Sequence, residues 1–134
     1  MSELKPGDQA PDFNLQDQDG ARAALGDFRG RKLLLYFYPK ADTPGCTAQA
    51  CSVQESLLDL ASLGVDAVGI SPDPPDRQKK FARKHKLSFR LLSDSLHRVA
   101  KAYGAWGEKN SILRSSFLID GDGRILRAWY KVSP

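Results

Sequence analysis

The stretch that decides the fold is KLLLYFYPKADTPGCTAQACSVQESLLDLASLGVDAVGIS, from Lys32 to Ser71. Its first part, Lys32 to Tyr38, is an almost continuous apolar run, which is typical of a strand buried on both faces. Its last part, Val65 to Ser71, has the same character and the same approximate length. Two such runs predict neighbouring parallel strands at the centre of a sheet.

A single helix is predicted between these two strands, from Thr43 to Leu63. Thr43 is a favourable N-cap residue, and Pro44 suits the first helical position. Gly64 is a common residue just after a helix end. The order strand, helix, strand therefore predicts a βαβ unit.

The segments on either side of this unit continue the alternation of strands and helices. Before it, Phe13 to Gln16 and Ala21 to Leu25 are predicted to pair as a hairpin around the turn signal Asp17-Gln18-Asp19-Gly20. After it come helices at 75–86 and 94–103, a strand at 88–92, and a hairpin of strands at 116–119 and 124–129. The order predicts an α/β protein with a thioredoxin-like fold, in which helices flank a central mixed sheet with an N-terminal β-hairpin extension.

The predicted helix at 94–103 has an amphipathic pattern. Its apolar residues follow the spacing i, i+3, i+4, i+7, and they are Leu96, Val99, Ala100 and Tyr103. Such a stripe is expected to face the core. We expect residues 1–134 to form one domain, since this length fits a single core and the sequence has no repeat or linker.

Composition excludes several classes of function. The 134 residues carry a net charge of +4, and no apolar run approaches the roughly 20 residues of a membrane helix. The first residues, Met1 to Pro6, lack the apolar segment of a signal peptide, so we expect a cytoplasmic protein with no membrane contact. A basic cluster from Arg77 to Lys86 could bind nucleic acid, but it lacks interleaved aromatic residues. We interpret it as a solvated helix face and expect no nucleic-acid partner.

The chain has two cysteines, Cys46 and Cys51. Two cysteines are too few for the disulfide framework of a small secreted domain. A tetrahedral zinc site would need both histidines as well, and His85 and His97 lack any ligand spacing. We therefore expect no metal and no other cofactor.

Cys46 occupies the third position of the predicted helix, directly after a buried strand. This is the edge of an open α/β sheet at which sites usually lie. The first turn of a helix has free N–H groups and the positive end of the helix dipole, which stabilise a thiolate. We predict that Cys46 is a reactive nucleophile; the alternative is a buried cysteine that only packs.

Cys51 lies five residues further along the same predicted helix. On a regular helix, the Cα atoms of two such residues are roughly 8.6 Å apart. A disulfide needs Cα atoms within about 7 Å, so the pair cannot bond while the helix is intact. The spacing suggests a switch between a helical thiol state and an unwound disulfide state.

Around these cysteines, the chain resembles a known family. Pro39, Thr43 and Cys46 match the Pro-x-x-x-Thr-x-x-Cys signature of the peroxiredoxins. The string Thr43-Pro44-Gly45-Cys46-Thr47, followed by Cys51, resembles the bacterioferritin comigratory protein, or peroxiredoxin Q, subfamily. The similarity extends over nearly the whole chain and includes the segments 7–13, 106–109 and 114–120.

The resemblance implies a thioredoxin-dependent thiol peroxidase that contributes to antioxidant defence and redox homeostasis. Cys46 would attack a hydroperoxide and become a sulfenic acid, and Cys51 would condense with it to an intramolecular disulfide. Thioredoxin or a similar reductant would reopen that bond. By the same resemblance, Thr43 would bind the peroxide, Pro39 would shield the site from water, and Arg114 would hold the thiolate and polarise the peroxide.

The sequence departs from the family pattern in two places. Only residues 110–113 separate the Trp106–Lys109 string from Arg114, where the family has a longer loop. The family also continues past the last strand into a C-terminal helix, which this sequence does not contain. We expect a monomer, because no exposed apolar stripe is predicted. A redox sensor or holdase that uses the same two cysteines is the alternative function, and it should turn over slowly.

Overall fold

A computed structural model describes residues 3–133 of the chain. Met1, Ser2 and Pro134, which belong to the predicted domain 1–134, lie outside the described residues. The strands are β1 (Asn14–Gln16), β2 (Arg22–Ala24), β3 (Lys32–Phe37), β4 (Val65–Ser71), β5 (Arg90–Ser93), β6 (Ser115–Ile119) and β7 (Ile125–Trp129). The helices are α1 (Pro44–Glu55), α2 (Leu57–Ser62), α3 (Pro75–Lys84) and α4 (Arg98–Ala102), and a short 3-10 helix covers Leu25–Phe28.

The described strands form one sheet in the order β2-β1-β5-β4-β3-β6-β7. Strands β3, β4 and β5 are parallel, whereas the outer pairs are antiparallel. The predicted fold class, a thioredoxin-like mixed sheet flanked by helices, is thereby confirmed. The N-terminal hairpin of β1 and β2 joins the sheet edge through a single pair, Gln16 and Ser93.

The two faces of the sheet carry separate core clusters, because successive residues of a strand point to opposite faces. On one face, Leu33, Leu35 and Phe37 of β3 pack with residues of α4. On the other, Tyr36 and Tyr38 pack with residues of α1 and α3. The candidate cysteine and its helix therefore cover the tyrosine side of the sheet.

The predicted single helix from Thr43 to Leu63 is wrong in one respect. The structure divides it at Ser56 into α1 and α2. The N–H of Ser56 bonds to the carbonyls of both Ser52 and Val53, which tightens the chain at that point. Serine is a weak helix former that competes with the backbone for hydrogen bonds, and this favours the break.

The predicted helix at 94–103 is shorter than expected. Helix α4 begins only at Arg98, because His97 adopts a left-handed conformation with φ 60°. The Asp94 carboxylate accepts hydrogen bonds from the N–H groups of Val99 (3.3 Å) and Ala100 (2.9 Å), so residues 94–97 form a turn before the helix. Leu96 consequently leaves the predicted apolar stripe and is 63% exposed, whereas the rest of the stripe is buried.

The remaining predicted elements shift by one or two residues at their ends. The structure places α3 at Pro75–Lys84 rather than 75–86, and β5 at Arg90–Ser93 rather than 88–92. The 3-10 helix at Leu25–Phe28 was not predicted. None of the helices within residues 3–133 is long and apolar enough to cross a membrane.

Candidate active site

The candidate site forms where β3 ends and α1 begins. Strand β6 runs antiparallel to β3, and its first residue, Ser115, pairs with Phe37 at the end of β3. Arg114, one residue earlier, is therefore at the same edge of the sheet as the start of α1. A residue more than sixty positions away in the sequence is thus brought beside Cys46.

The guanidinium group of Arg114 links two side chains of α1. Its Nη2 atom donates to the Sγ atom of Cys46 at 3.2 Å, and its Nη1 atom donates to Oε1 of Gln49 at 2.7 Å. Gln49 lies three residues after Cys46, so both side chains lie on the same side of the helix. Gln49 was not predicted from the sequence, although this spacing could have indicated it.

The N-terminus of α1 also presents the positive end of the helix dipole at Cys46. Cys46 is the third residue of α1, and the first helical hydrogen bond runs from the N–H of Thr47 to the carbonyl of Thr43 at 2.8 Å. The N–H groups of Gly45 and Cys46 precede that bond and belong to the unpaired first turn. Cys46 thus lies between the positive end of the α1 dipole and the Arg114 guanidinium.

Thr43 is the N-cap residue of α1, as predicted, but the structure shows no side-chain capping bond from it within the described residues. Its hydroxyl instead donates to the carbonyl of Lys40 at 2.8 Å. This fixes the hydroxyl proton, and the lone pairs of Oγ1 remain free to accept a bond. Pro39 follows β3 and is exposed.

A buried polar network, which no sequence motif predicts, fixes the loop that leads into α1. The N–H of Ala41 donates to Oδ2 of Asp73 at 2.7 Å, and the Ser71 hydroxyl donates to the same oxygen. Gln78 joins the network, because its Nε2 atom donates to Ser71 and its Oε1 atom accepts from Tyr38. The network therefore fixes the loop at Ala41, shortly before Cys46 in the sequence.

The sulfur of Cys46 is less exposed to solvent than its position at the start of a helix suggests. Cys46 is only 1% exposed, whereas Cys51 is half-buried, and both are free thiols. A sulfur in this position admits a small molecule such as a peroxide more easily than a bulky reagent. The surrounding residues at the start of α1, Thr43 and Gly45, are themselves half-exposed.

This difference in burial gives a testable expectation for thiol labelling. A bulky maleimide should label Cys51 before Cys46, because only Cys51 presents part of its side chain to solvent. Peptide mapping of the reduced protein after a short exposure measures the order. Labelling of Cys46 first would show that the sulfur is more open than its 1% exposure indicates.

Two tyrosines of β3 lie beneath α1 in the same cluster as Cys46. Burial raises the pKa of both Tyr36 and Tyr38 above the ordinary phenol value. Both phenols are therefore protonated at neutral pH. The donor of Tyr38 is used by Gln78.

A helix-start cysteine held by an arginine, on a sheet of thioredoxin type, defines a thiol-based oxidoreductase. The chain belongs to the AhpC/TSA family, whose model matches residues 6–128. Within that family it is a peroxiredoxin of the Bcp, or peroxiredoxin Q, branch, as the resemblance implied. It is accordingly a peroxidase.

Three relatives illustrate this membership. The chain is 51% identical to peroxiredoxin Bcp of Escherichia coli strain K12 over 132 residues, which cover 93% of this chain and 85% of that protein. It resembles the crystal structure of a cysteine-to-serine mutant of PrxQ from Xylella fastidiosa, with a TM-score of 0.94, 30% identity, and coverage of 99% of this chain and 89% of that one. It also resembles a trapped intermediate/ligand complex of the bacterioferritin comigratory protein of Xanthomonas campestris, which is described in connection with alkyl peroxide reduction. The TM-score is 0.90 at 30% identity, and the match covers 97% of this chain and 87% of that one.

Proposed function

We propose that the chain reduces hydrogen peroxide and small organic hydroperoxides through Cys46, with Cys51 as the resolving cysteine and a thioredoxin-type dithiol as the reductant. The observation that carries the proposal is the contact of Arg114 Nη2 with Cys46 Sγ at 3.2 Å, at the start of a helix. A guanidinium there favours the thiolate, which is the nucleophilic form of cysteine.

In the first step, the Cys46 thiolate attacks the terminal oxygen of the hydroperoxide. The S–O bond forms as the O–O bond breaks, the sulfur is oxidised to a sulfenic acid, and water or an alcohol leaves after protonation. Arg114 stabilises the negative charge that passes from sulfur to the leaving oxygen. Thr43, whose hydroxyl proton is directed to Lys40, accepts a hydrogen bond from the peroxide.

In the second step, the Cys51 thiol condenses with the Cys46 sulfenic acid. The S–S bond forms, the S–O bond breaks, and water is released. Both residues lie within α1, and residues five apart on a helix are roughly 8.6 Å apart at Cα. The start of α1 therefore unwinds before the disulfide closes.

In the third step, an external dithiol reduces the disulfide and returns α1 to its helical state. The half-buried Cys51 offers the more accessible sulfur of the pair in the reduced protein. We propose that the protein acts as a monomer. We place this activity in the cytoplasm, where thioredoxin-type reductants keep thiols reduced.

The alkyl peroxide reduction described for the Xanthomonas campestris relative supports organic hydroperoxides as substrates. The test is steady-state consumption of hydrogen peroxide and of a small alkyl hydroperoxide with thioredoxin, thioredoxin reductase and NADPH. Sustained turnover supports the enzyme. Oxidation that stops after one equivalent, with no further NADPH consumption, would instead indicate the redox sensor.

Arg114→Ala should slow the first step strongly. Removal of the guanidinium takes away a charge-assisted bond to the sulfur, and we expect a fall in the rate of peroxide reduction by roughly 10²–10³-fold. Stopped-flow oxidation by hydrogen peroxide at neutral pH measures it. Arg127→Ala is the matched control, because Arg127 is an exposed residue of β7. Equal rates for the two variants would remove Arg114 from the site.

A further inference from the structure

The hydroxyl of Tyr36 is buried and has no hydrogen-bond partner among the residues that the structure describes. Tyr36 is 1% exposed, so the phenol cannot turn to bulk water. A buried hydroxyl without a partner destabilises the state in which it occurs, because its hydration is lost without compensation. Such a group calls for an explanation, and none of the three reaction steps uses it.

Tyr36 is tightly enclosed on the sheet side. It pairs with Gly69 of β4, and a Cβ atom added at Gly69 would lie 2.9 Å from Cζ and 3.0 Å from Oη of Tyr36. Its ring packs against Tyr38 and Phe89, with centroid distances of 5.5 and 6.2 Å. The phenol thus fills the space that the missing side chain of Gly69 leaves free.

Helix α1 covers Tyr36 from the other side. The fully buried residues of α1, which is described over its whole length, are Cys46 and Ala50, and both share the cluster of Tyr36. Tyr36 and the buried residues of α1 thus belong to the same packed cluster on this face of the sheet.

Helix α1 buries only small side chains completely and lacks two common stabilising features at its N-terminus. Its buried residues are small, so unwinding exposes little apolar surface. Thr43 makes no side-chain capping bond among the described residues, and the first turn, Pro44 to Thr47, has no acidic residue to complement the helix dipole. Opening of this turn breaks the bonds of Arg114 to Cys46 and Gln49 but exposes little apolar surface.

We propose that Tyr36 is a positioning residue for the resolving step, because its unpartnered hydroxyl destabilises the closed helical state of α1 and favours the open state in which Cys51 reaches Cys46. When α1 opens, water hydrates the hydroxyl, and the free-energy cost of leaving it without a hydrogen-bond partner is removed. The inference rests on the proposed disulfide between Cys46 and Cys51. The covalent step is unchanged: the sulfenic acid and the thiol give a disulfide and water.

The test compares Tyr36→Phe with Tyr38→Phe. Both substitutions remove one hydroxyl from neighbouring rings of β3, but the Tyr38 hydroxyl has a partner in Gln78. The reduced Tyr36→Phe protein should unfold at a higher temperature than the unsubstituted protein, because an unsatisfied group is gone. The reduced Tyr38→Phe protein should unfold at a lower temperature, because the Gln78 amide oxygen loses its donor.

The second part of the test measures the rate of disulfide closure during a single turnover with one equivalent of hydrogen peroxide. In Tyr36→Phe, closure of the disulfide should slow by about tenfold, in line with the cost of an unsatisfied hydroxyl. The sulfenic acid then persists, so excess peroxide should produce more sulfinic acid at Cys46. Rapid quenching with a thiol-blocking reagent, followed by mass analysis, measures disulfide, sulfenic and sulfinic forms separately.

Three outcomes would overturn the inference. A lower unfolding temperature of Tyr36→Phe would show that the hydroxyl stabilises the helical state. Equal rates of disulfide closure with and without the hydroxyl would show that it does not influence opening. Slower formation of the sulfenic acid in Tyr36→Phe would make the hydroxyl a direct donor in the first step. Absence of the disulfide in the unsubstituted protein, by contrast, would reject the proposed resolving role of Cys51 whatever Tyr36 does.

Discussion

Replacement of Cys46 by serine should abolish peroxide reduction. A serine hydroxyl is not ionised at neutral pH, and the Arg114 guanidinium that contacts Cys46 Sγ at 3.2 Å cannot make it an effective nucleophile towards oxygen. We expect the rate to fall by roughly 10⁴-fold or more, as is usual when a covalent nucleophile is removed. Peroxide consumption with a thioredoxin system measures the loss.

The matched control for this variant is Cys51→Ser, which makes the same chemical change on the same helix. Cys46→Ser should consume no peroxide even in a single turnover, whereas Cys51→Ser should consume one equivalent. An unfolding curve similar to that of the unsubstituted protein shows that the serine at position 46 is tolerated. Substantial activity of a folded Cys46→Ser protein would assign the nucleophile to another residue.

Replacement of Cys51 by serine should separate the two halves of the reaction. Cys46 keeps its contact with Arg114, so the first turnover should proceed at close to the normal rate. No intramolecular disulfide can form, and continuous turnover with thioredoxin should fall to a small fraction of the normal value. The unresolved sulfenic acid should then be over-oxidised to sulfinic acid as the peroxide concentration is raised.

Mass analysis of Cys51→Ser after peroxide treatment gives the decisive comparison. We expect addition of one oxygen at low peroxide and of two oxygens at high peroxide, both at Cys46. If Cys51→Ser sustained normal thioredoxin-dependent turnover, the sulfenic acid would be reduced directly by the external thiol. Cys51 would then have no resolving role.

Local signals in the sequence predict the sheet and most elements correctly. The apolar runs at 32–38 and 65–71 are long enough to identify the central strands, and cap residues locate the start of α1. The break at Ser56 is not predicted, because no proline or glycine marks it in the sequence. The late start of α4 depends on the bonds of Asp94 and on the left-handed His97, which periodicity does not reveal.

In the candidate site, too, residues that are close in sequence are predicted, whereas contacts that depend on the fold are not. Helix position and spacing predict Cys46 and Cys51, and the family resemblance adds Thr43, Pro39 and Arg114. The bond from Arg114 to Gln49 and the support of the loop by Asp73 depend on which strands are neighbours in the sheet. The burial of Cys46 depends on what α1 packs against, and helical position alone cannot predict it.

The central claim is that Cys46 and Cys51 react in sequence within one chain, and intact-mass measurement tests it most directly. The fully reduced protein is treated with one equivalent of hydrogen peroxide, and free thiols are then blocked. The proposed mechanism predicts a mass lower by two hydrogens and no blocked cysteine. A protein in which both cysteines carry the blocking group, or one that keeps an added oxygen on Cys46 while Cys51 carries the blocking group, would contradict it.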